Sequence, residues 1–232
     1  GADKEFKGNT EITLAGRFRI TGDVYGGTNA TTIGKGYGTG NTNVIVSSNS
    51  VSVYGRIFGG SKGKIQNNTI NTLNGYINGT TNITISAGYI QKEIYGGGNN
   101  CGVGGTITEL PTQVTNAGNT NITITGGQIA SNVYGGAYEN YVIKTNINIT
   151  GGTIGSSTNS GVYGGNNQDN VELSSVNNKV ITNVHIGTKN QSNTAAPIVK
   201  SIIYGSGVKD KVESSNVELL ANSNESNITV YG

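Results

Sequence analysis

Apolar residues along this chain fall in pairs separated by one polar residue. The pairs return seven times: Ile12/Leu14, Val44/Val46, Ile83/Ile85, Ile122/Ile124, Ile147/Ile149, Val184/Ile186 and Val217/Leu219. Alternation with a period of two puts successive side chains on opposite faces, as in a half-buried strand. Each pair is followed by a Gly-containing turn and a second short strand. That strand ends on Val or Ile, an aromatic residue and Gly, the aromatics being Tyr25, Phe58, Tyr95, Tyr134, Tyr163, Tyr204 and Tyr231. The clearest copies run from Thr120-Asn121-Ile122-Thr123-Ile124 to Val133-Tyr134-Gly135-Gly136, and from Thr145-Asn146-Ile147-Asn148-Ile149 to Val162-Tyr163-Gly164-Gly165. Copies start 25 to 39 residues apart, so the shortest step approximates the bare unit and the surplus leaves as loops.

A strand of about five residues cannot bury its one apolar face alone. Self-similarity at a period of roughly 20–50 residues marks an array in which neighbours bury one another. The expected fold is therefore all-β: a right-handed parallel β-helix (β-solenoid) of about seven rungs, one domain over residues 1–232. Each inward Ile would lie over the Ile of the next rung, with backbone hydrogen bonds along the stack at about 4.8 Å per rung. With Ile122 and Ile124 inward, Thr120 also faces inward and Asn121, Thr123 and Thr125 outward; in the second strand, past the turn, Ile129 and Val133 face inward and Tyr134 outward.

Thr-Asn recurs at one fixed place: Thr42-Asn43, Thr81-Asn82, Thr120-Asn121, Thr145-Asn146 and Thr182-Asn183, with Ser215-Asn216 as a near match. Stacked copies of these side chains can hydrogen-bond up and down the column. An outward Thr file at Thr84 and Thr123, with Ser86, Thr125 and Thr150 beside it, is the material of a water-ordering, ice-binding face. Ile45, Asn148 and His185 interrupt it.

Composition sharpens the picture. Of 232 residues 38 are Gly, tolerable if most occupy turns that need positive φ. The two Pro residues, Pro111 and Pro197, fall in inserted loops rather than paired strands. A net charge of +2 and the lack of a basic run, Lys62 and Lys64 being the nearest approach, argue against a nucleic-acid partner. No stretch is long and apolar enough to insert in a membrane. No Met occurs, even at position 1, so the chain reads as a segment of a longer protein that continues beyond residue 232. Phe6 is placed to fold back over the first rung. A single Cys excludes a disulfide framework; Cys101 is either an inert free thiol or a reactive or intermolecular one. The Asn-x-Thr/Ser sequons at Asn82, Asn121, Asn148 and Asn227 follow from the strand phrase itself.

The rung pattern, over nearly the whole chain, resembles the pectate-lyase-like parallel β-helix superfamily, and with its loops a repeat domain of bacterial adhesin-type surface proteins. The resemblance to the enzymes implies polysaccharide cleavage by clustered carboxylates, or by Ca²⁺ with a basic residue. This sequence has only Asp3, Asp23, Asp169 and Asp210, at different places in the repeat, so no catalytic, metal or cofactor residue is assigned. His185, the one histidine, takes an outward strand position beside Glu218, and residues 166–170 read as a polar turn. The ligand-binding candidates are Tyr25, Tyr95, Tyr134, Tyr163 and Tyr204, stacked on one outer edge with Phe58 filling the gap. The file either shields the turns or, if its flanking glycines leave the ring faces open, stacks on sugars or a protein. The expectation is a non-catalytic extracellular segment of a bacterial surface or cell-wall protein, monomeric as a fragment. It would act as an adhesin or rigid stalk, binding a host surface protein or glycan through loops 28–41, 61–80, 98–118, 166–181 and 187–200. The alternative is a carbohydrate-active enzyme or glycan-binding module.

Overall fold

The computed structural model describes residues 5–6, 8–30, 37–38, 40–63, 65–66, 69–70, 75–103, 119–140, 142–156, 160–167, 180–188, 196–200, 202–210, 212–220 and 229–232. Among them every regular element is a strand. The Thr-Asn strands Thr10–Leu14, Thr42–Val46, Thr81–Ile85, Asn119–Ile129, Lys144–Ile154, Val180–Ile186 and Val212–Leu219 pair in parallel, each copy on the next. The register is residue for residue: Ile12, Val44, Ile83, Ile122, Ile147, Val184 and Val217 share one column.

What reads in sequence as one second strand is two. A first piece, such as Val51–Val53 or Tyr89–Ile90, stays in the sheet of the Thr-Asn strands. The second piece, ending on the aromatic ring, belongs to a separate seven-stranded parallel sheet: Val24–Tyr25, Ile57–Phe58, Ile94–Tyr95, Val133–Tyr134, Gly161–Tyr163, Ile202–Tyr204 and Thr229–Tyr231. A third line of parallel contacts follows the glycines, through Asn29, Lys62, Asn99, Tyr138, Asn167 and Val208. The Val and Ile columns of the two sheets face each other as one core, with Val44, Ile85, Ile124, Ile149 and Ile186 fully buried. This all-β arrangement of large parallel sheets is compatible with a β-solenoid.

Several expectations need correction. Thr125 does not lie beside Thr150; a register shift pairs it with Gly151, and the ladder returns to step at Ile129 and Ile154. Glu5–Phe6 pairs with Tyr37–Gly38 in parallel, so its backbone joins a side column with Ile77, Val103 and Val142 rather than crossing the end of the main sheets. Most importantly, positive φ explains only part of the glycine content. It holds at the bend after the Thr-Asn strands, where Gly88, Gly127, Gly152 and Gly187 have φ from 82° to 94°. The glycine after each ring is needed for another reason. A Cβ on Gly59, Gly96 or Gly135 would stand 2.2–2.3 Å from the carbonyl oxygen of the equivalent glycine in the next copy. Only hydrogen fits there.

That crowding gives a sharp contrast. Gly135→Ala should destabilise by about 1–3 kcal/mol or more, because backbone rather than a movable side chain is in the way. Gly22→Ala, with open space around its Cβ position, should stay within about 0.5 kcal/mol of the parent. Urea titration followed by circular dichroism reads both, and equal midpoints would refute the close-approach account.

Candidate functional site

Each Thr-Asn strand presents its Thr to the interior and its Asn to the outside. Thr42, Thr81, Thr120, Thr145 and Thr182 are buried to within 1%. A hydroxyl in hydrocarbon must find an acceptor. It finds the carbonyl of the glycine after the ring in its own copy. Thr42 donates to Gly59 at 2.5 Å, Thr81 to Gly96 at 2.6 Å, Thr120 to Gly135 at 2.5 Å and Thr145 to Gly164 at 2.5 Å, and Thr182 donates to Gly205. One side chain thus ties the first sheet to the second.

Outside, the Asn side chains form a one-way ladder. The amide Nδ2 of Asn82 donates to Asn43 Oδ1 at 3.0 Å, Asn121 to Asn82 at 2.9 Å, Asn146 to Asn121 at 3.0 Å and Asn183 to Asn146 at 3.0 Å. Beside it runs the file Thr84, Thr123, Asn148, His185, Glu218. The two files border an open groove of about 490 Å³, lined by Asn82, Asn121, Thr123, Asn146, Asn148, Asn183 and His185. At its lower end His185 Nδ1 lies 3.7 Å from Glu218 Oε2, and Asn216 Nδ2 lies 3.5 Å from His185 Nε2.

The five candidate tyrosines do stack in one file, continuous through Phe58 and extended by Tyr231, with ring centroids 4.7–5.1 Å apart. Such contacts contribute about 0.5–1.5 kcal/mol per pair beyond burial. Their surroundings differ from the outward edge expected. Tyr95 is 1% and Tyr134 5% exposed, while Tyr25, Tyr163 and Tyr204 are half-buried. The faces of every interior ring are occupied by its neighbours, so the flanking glycines do not open them. The third line of chain covers the rings from the side. Asn99 donates to the Tyr25 hydroxyl at 3.2 Å, Asn167 to that of Tyr95 at 3.1 Å, and Tyr138 packs edge-on to Tyr95. Sequence reasoning missed this cover. Its signal was position, four residues after the ring, rather than residue type. Burial pushes the Tyr25 hydroxyl up to about 12 and raises Tyr95 and Tyr163 too.

Other titratable groups serve cohesion. Burial disfavours the Arg56 charge, but the hydrogen bond and charge of Glu93, 3.0 Å away, outweigh it and raise the guanidinium. Asp23 accepts from Arg56 N and from the Tyr25 hydroxyl. Asn166 bonds Ala137 N, Val142 N and Asp210, and burial raises the Asp210 carboxyl despite donors from Asn166 and Gly207. Asp3, Asp169, Pro111 and Lys64 lie outside the described residues. Among the described residues no three His, Cys, Asp or Glu side chains gather, and no helix is long and apolar enough to cross a membrane. Cys101 is fully buried, with Sγ donating to Ser61 O at 2.9 Å, and burial pushes its thiol up to about 12.

Comparison with protein-family models, curated proteins and solved structures finds no match.

Two outcomes follow from this chemistry. Thr120→Val should cost about 1–3 kcal/mol, since Gly135 loses a buried donor, whereas Thr123→Val on the outer face should be close to neutral in the same urea titration. With its thiol protonated far above neutrality, Cys101 should stay unmodified by a disulfide-exchange reagent at pH 8 in the folded chain. It should react at once in denaturant; rapid labelling of the native protein would contradict the burial.

Proposed function

We propose that the parallel sheets close into a right-handed β-helix of about seven rungs, and that this helix is a stiff, non-catalytic column from the extracellular surface of a bacterium. The observation that carries the reading is the column register of the Thr-Asn strands, residue for residue from Ile12 to Val217. Threonine and asparagine repeat in step from Thr42-Asn43 to Thr182-Asn183, and the aromatic file from Tyr25 to Tyr231, each strand paired in register with its copy. A stack of seven copies at about 4.8 Å makes a rod roughly 30 Å tall, with no hinge between copies.

On this reading the column acts as adhesin or stalk, and the insertions carry recognition of a host surface protein or glycan. Most of loops 98–118 and 166–181, half of 28–41 and 187–200, and part of 61–80 lie outside the described residues. The five tyrosines would contribute through ring edges and hydroxyls, since their faces are taken. A glycan-binding module is the second reading, supported by the amide-lined groove. Catalysis is the weaker form of it: among the described residues His185 and Glu218 are the one titratable pair at the groove, and both are partly exposed.

Deletion of residues 104–115, bridged by a short Gly/Ser linker, should leave the fold intact and alter binding to a panel of immobilised host surface glycoproteins and glycans. If deletions in each of the five loops leave that binding profile unchanged, recognition by loops is wrong and a spacer role is left.

A further inference from the structure

The groove beside the asparagine ladder has a hydrogen-bonding capacity that the fold does not use. A carboxamide offers two N–H donors and an oxygen with two lone pairs. The ladder consumes one N–H and one lone pair at Asn121 and at Asn146. Each keeps one of both, on a side chain whose orientation its neighbours have already fixed. Thr123, Asn148 and His185 supply further donors and acceptors across the groove, and His185 is 42% exposed. Among the described residues no Lys, Arg, Asp or Glu lines it, Glu218 standing just beyond its end against His185.

We propose that this groove binds a neutral linear glycan lying along the stacking axis. The proposal deepens the glycan-binding reading above, by assigning it a site and a ligand chemistry apart from the loops. Pitch decides the chemistry. The free amide groups of Asn121 and Asn146 stand one copy, about 4.8 Å, apart along the column. An extended peptide presents groups on one side every second residue, about 6.6 Å apart, and falls out of step within two copies. A β-linked glycan with flat, alternating rings advances one ring in nearly the length of one copy and offers paired hydroxyl donors and acceptors at every step. The amides are set before the ligand arrives, so little side-chain entropy is lost on binding. With no Lys or Arg among the described lining residues, and the Glu218 carboxylate at its end, a carboxylate-bearing sugar would lose hydration without gaining a fixed cationic partner.

Isothermal titration of the 232-residue chain tests this with three hexasaccharides. Cellohexaose should give a saturable isotherm. Maltohexaose, which coils, and the acidic galacturonate hexamer should each bind at least ~tenfold more weakly. The double variant Asn148→Ala, His185→Ala changes exposed positions outside the ladder. It should weaken cellohexaose binding by ~tenfold while the far-ultraviolet spectrum and urea midpoint stay put. Should that variant fail to fold, Thr123→Ala carries the same comparison at a smaller, several-fold loss. No isotherm for the parent chain overturns the proposal. So does unchanged cellohexaose binding in a folded groove variant, or binding of the galacturonate hexamer as tight as that of cellohexaose. Loop deletions should not disturb cellohexaose binding, so failure of the groove and failure of loop recognition are told apart.

Discussion

One hydroxyl inside the hydrocarbon core sets the geometry of five successive copies. Thr42, Thr81, Thr120, Thr145 and Thr182 stand among isoleucines and valines with no water to bond. Each is satisfied only if the glycine after the ring returns to within hydrogen-bond reach, fifteen to twenty-three residues later in the chain. That bond fixes where the second sheet crosses over the first. The same carbonyl is the one that the preceding copy's glycine approaches so closely. In the last copy Ser215 takes the threonine place, and its buried Oγ has no hydrogen-bond partner. A Cβ on Gly205, the glycine after the ring of the preceding copy, would sit 1.9 Å from it.

Once the copies are in step, each column strengthens itself. An amide that donates to the copy before it is oriented to accept from the copy after it. A ring that stacks on one face presents the other at the right height. None of these contacts is large alone, and each is worth something only because the backbone register is exact to the residue. The interior therefore needs little variety: valine and isoleucine fill the same positions from Val44 to Val184, and aromatic residues fill one file from Tyr25 to Tyr231. The function proposed for the chain uses this directly. A column without internal joints holds loops apart, and a groove running along it inherits the spacing of the copies.

The polar groups that sequence reading offers as chemistry are mostly absorbed by cohesion. Asn166 and Asp210 bind three copies together, Arg56 and Glu93 pair across copies over the ring of Tyr138, and Cys101 is sealed behind Ser61. The amide ladder differs: it is satisfied along the axis yet half-open sideways.

The alternation of Ile122 with Ile124, and its recurrence beside Thr-Asn, fixed from sequence alone which residues meet, because parallel copies in register leave a period-two pattern only one way to bury itself. The amide ladder and the aromatic file were legible for the same reason. Three things were not. The split of each second strand between two sheets depends on where the chain bends, and glycines at Gly127 and Gly152 look in sequence like those at Gly135 and Gly164. The cover over the rings is built from Lys62, Asn99, Tyr138 and Asn167, which share a place and no chemistry. Most of all, one-dimensional alternation says whether a side chain leaves the core, not whether another segment closes over it. Tyr134 points away from the main core as its parity requires, and it is buried all the same, because only the third line of chain decides what lies on the far side.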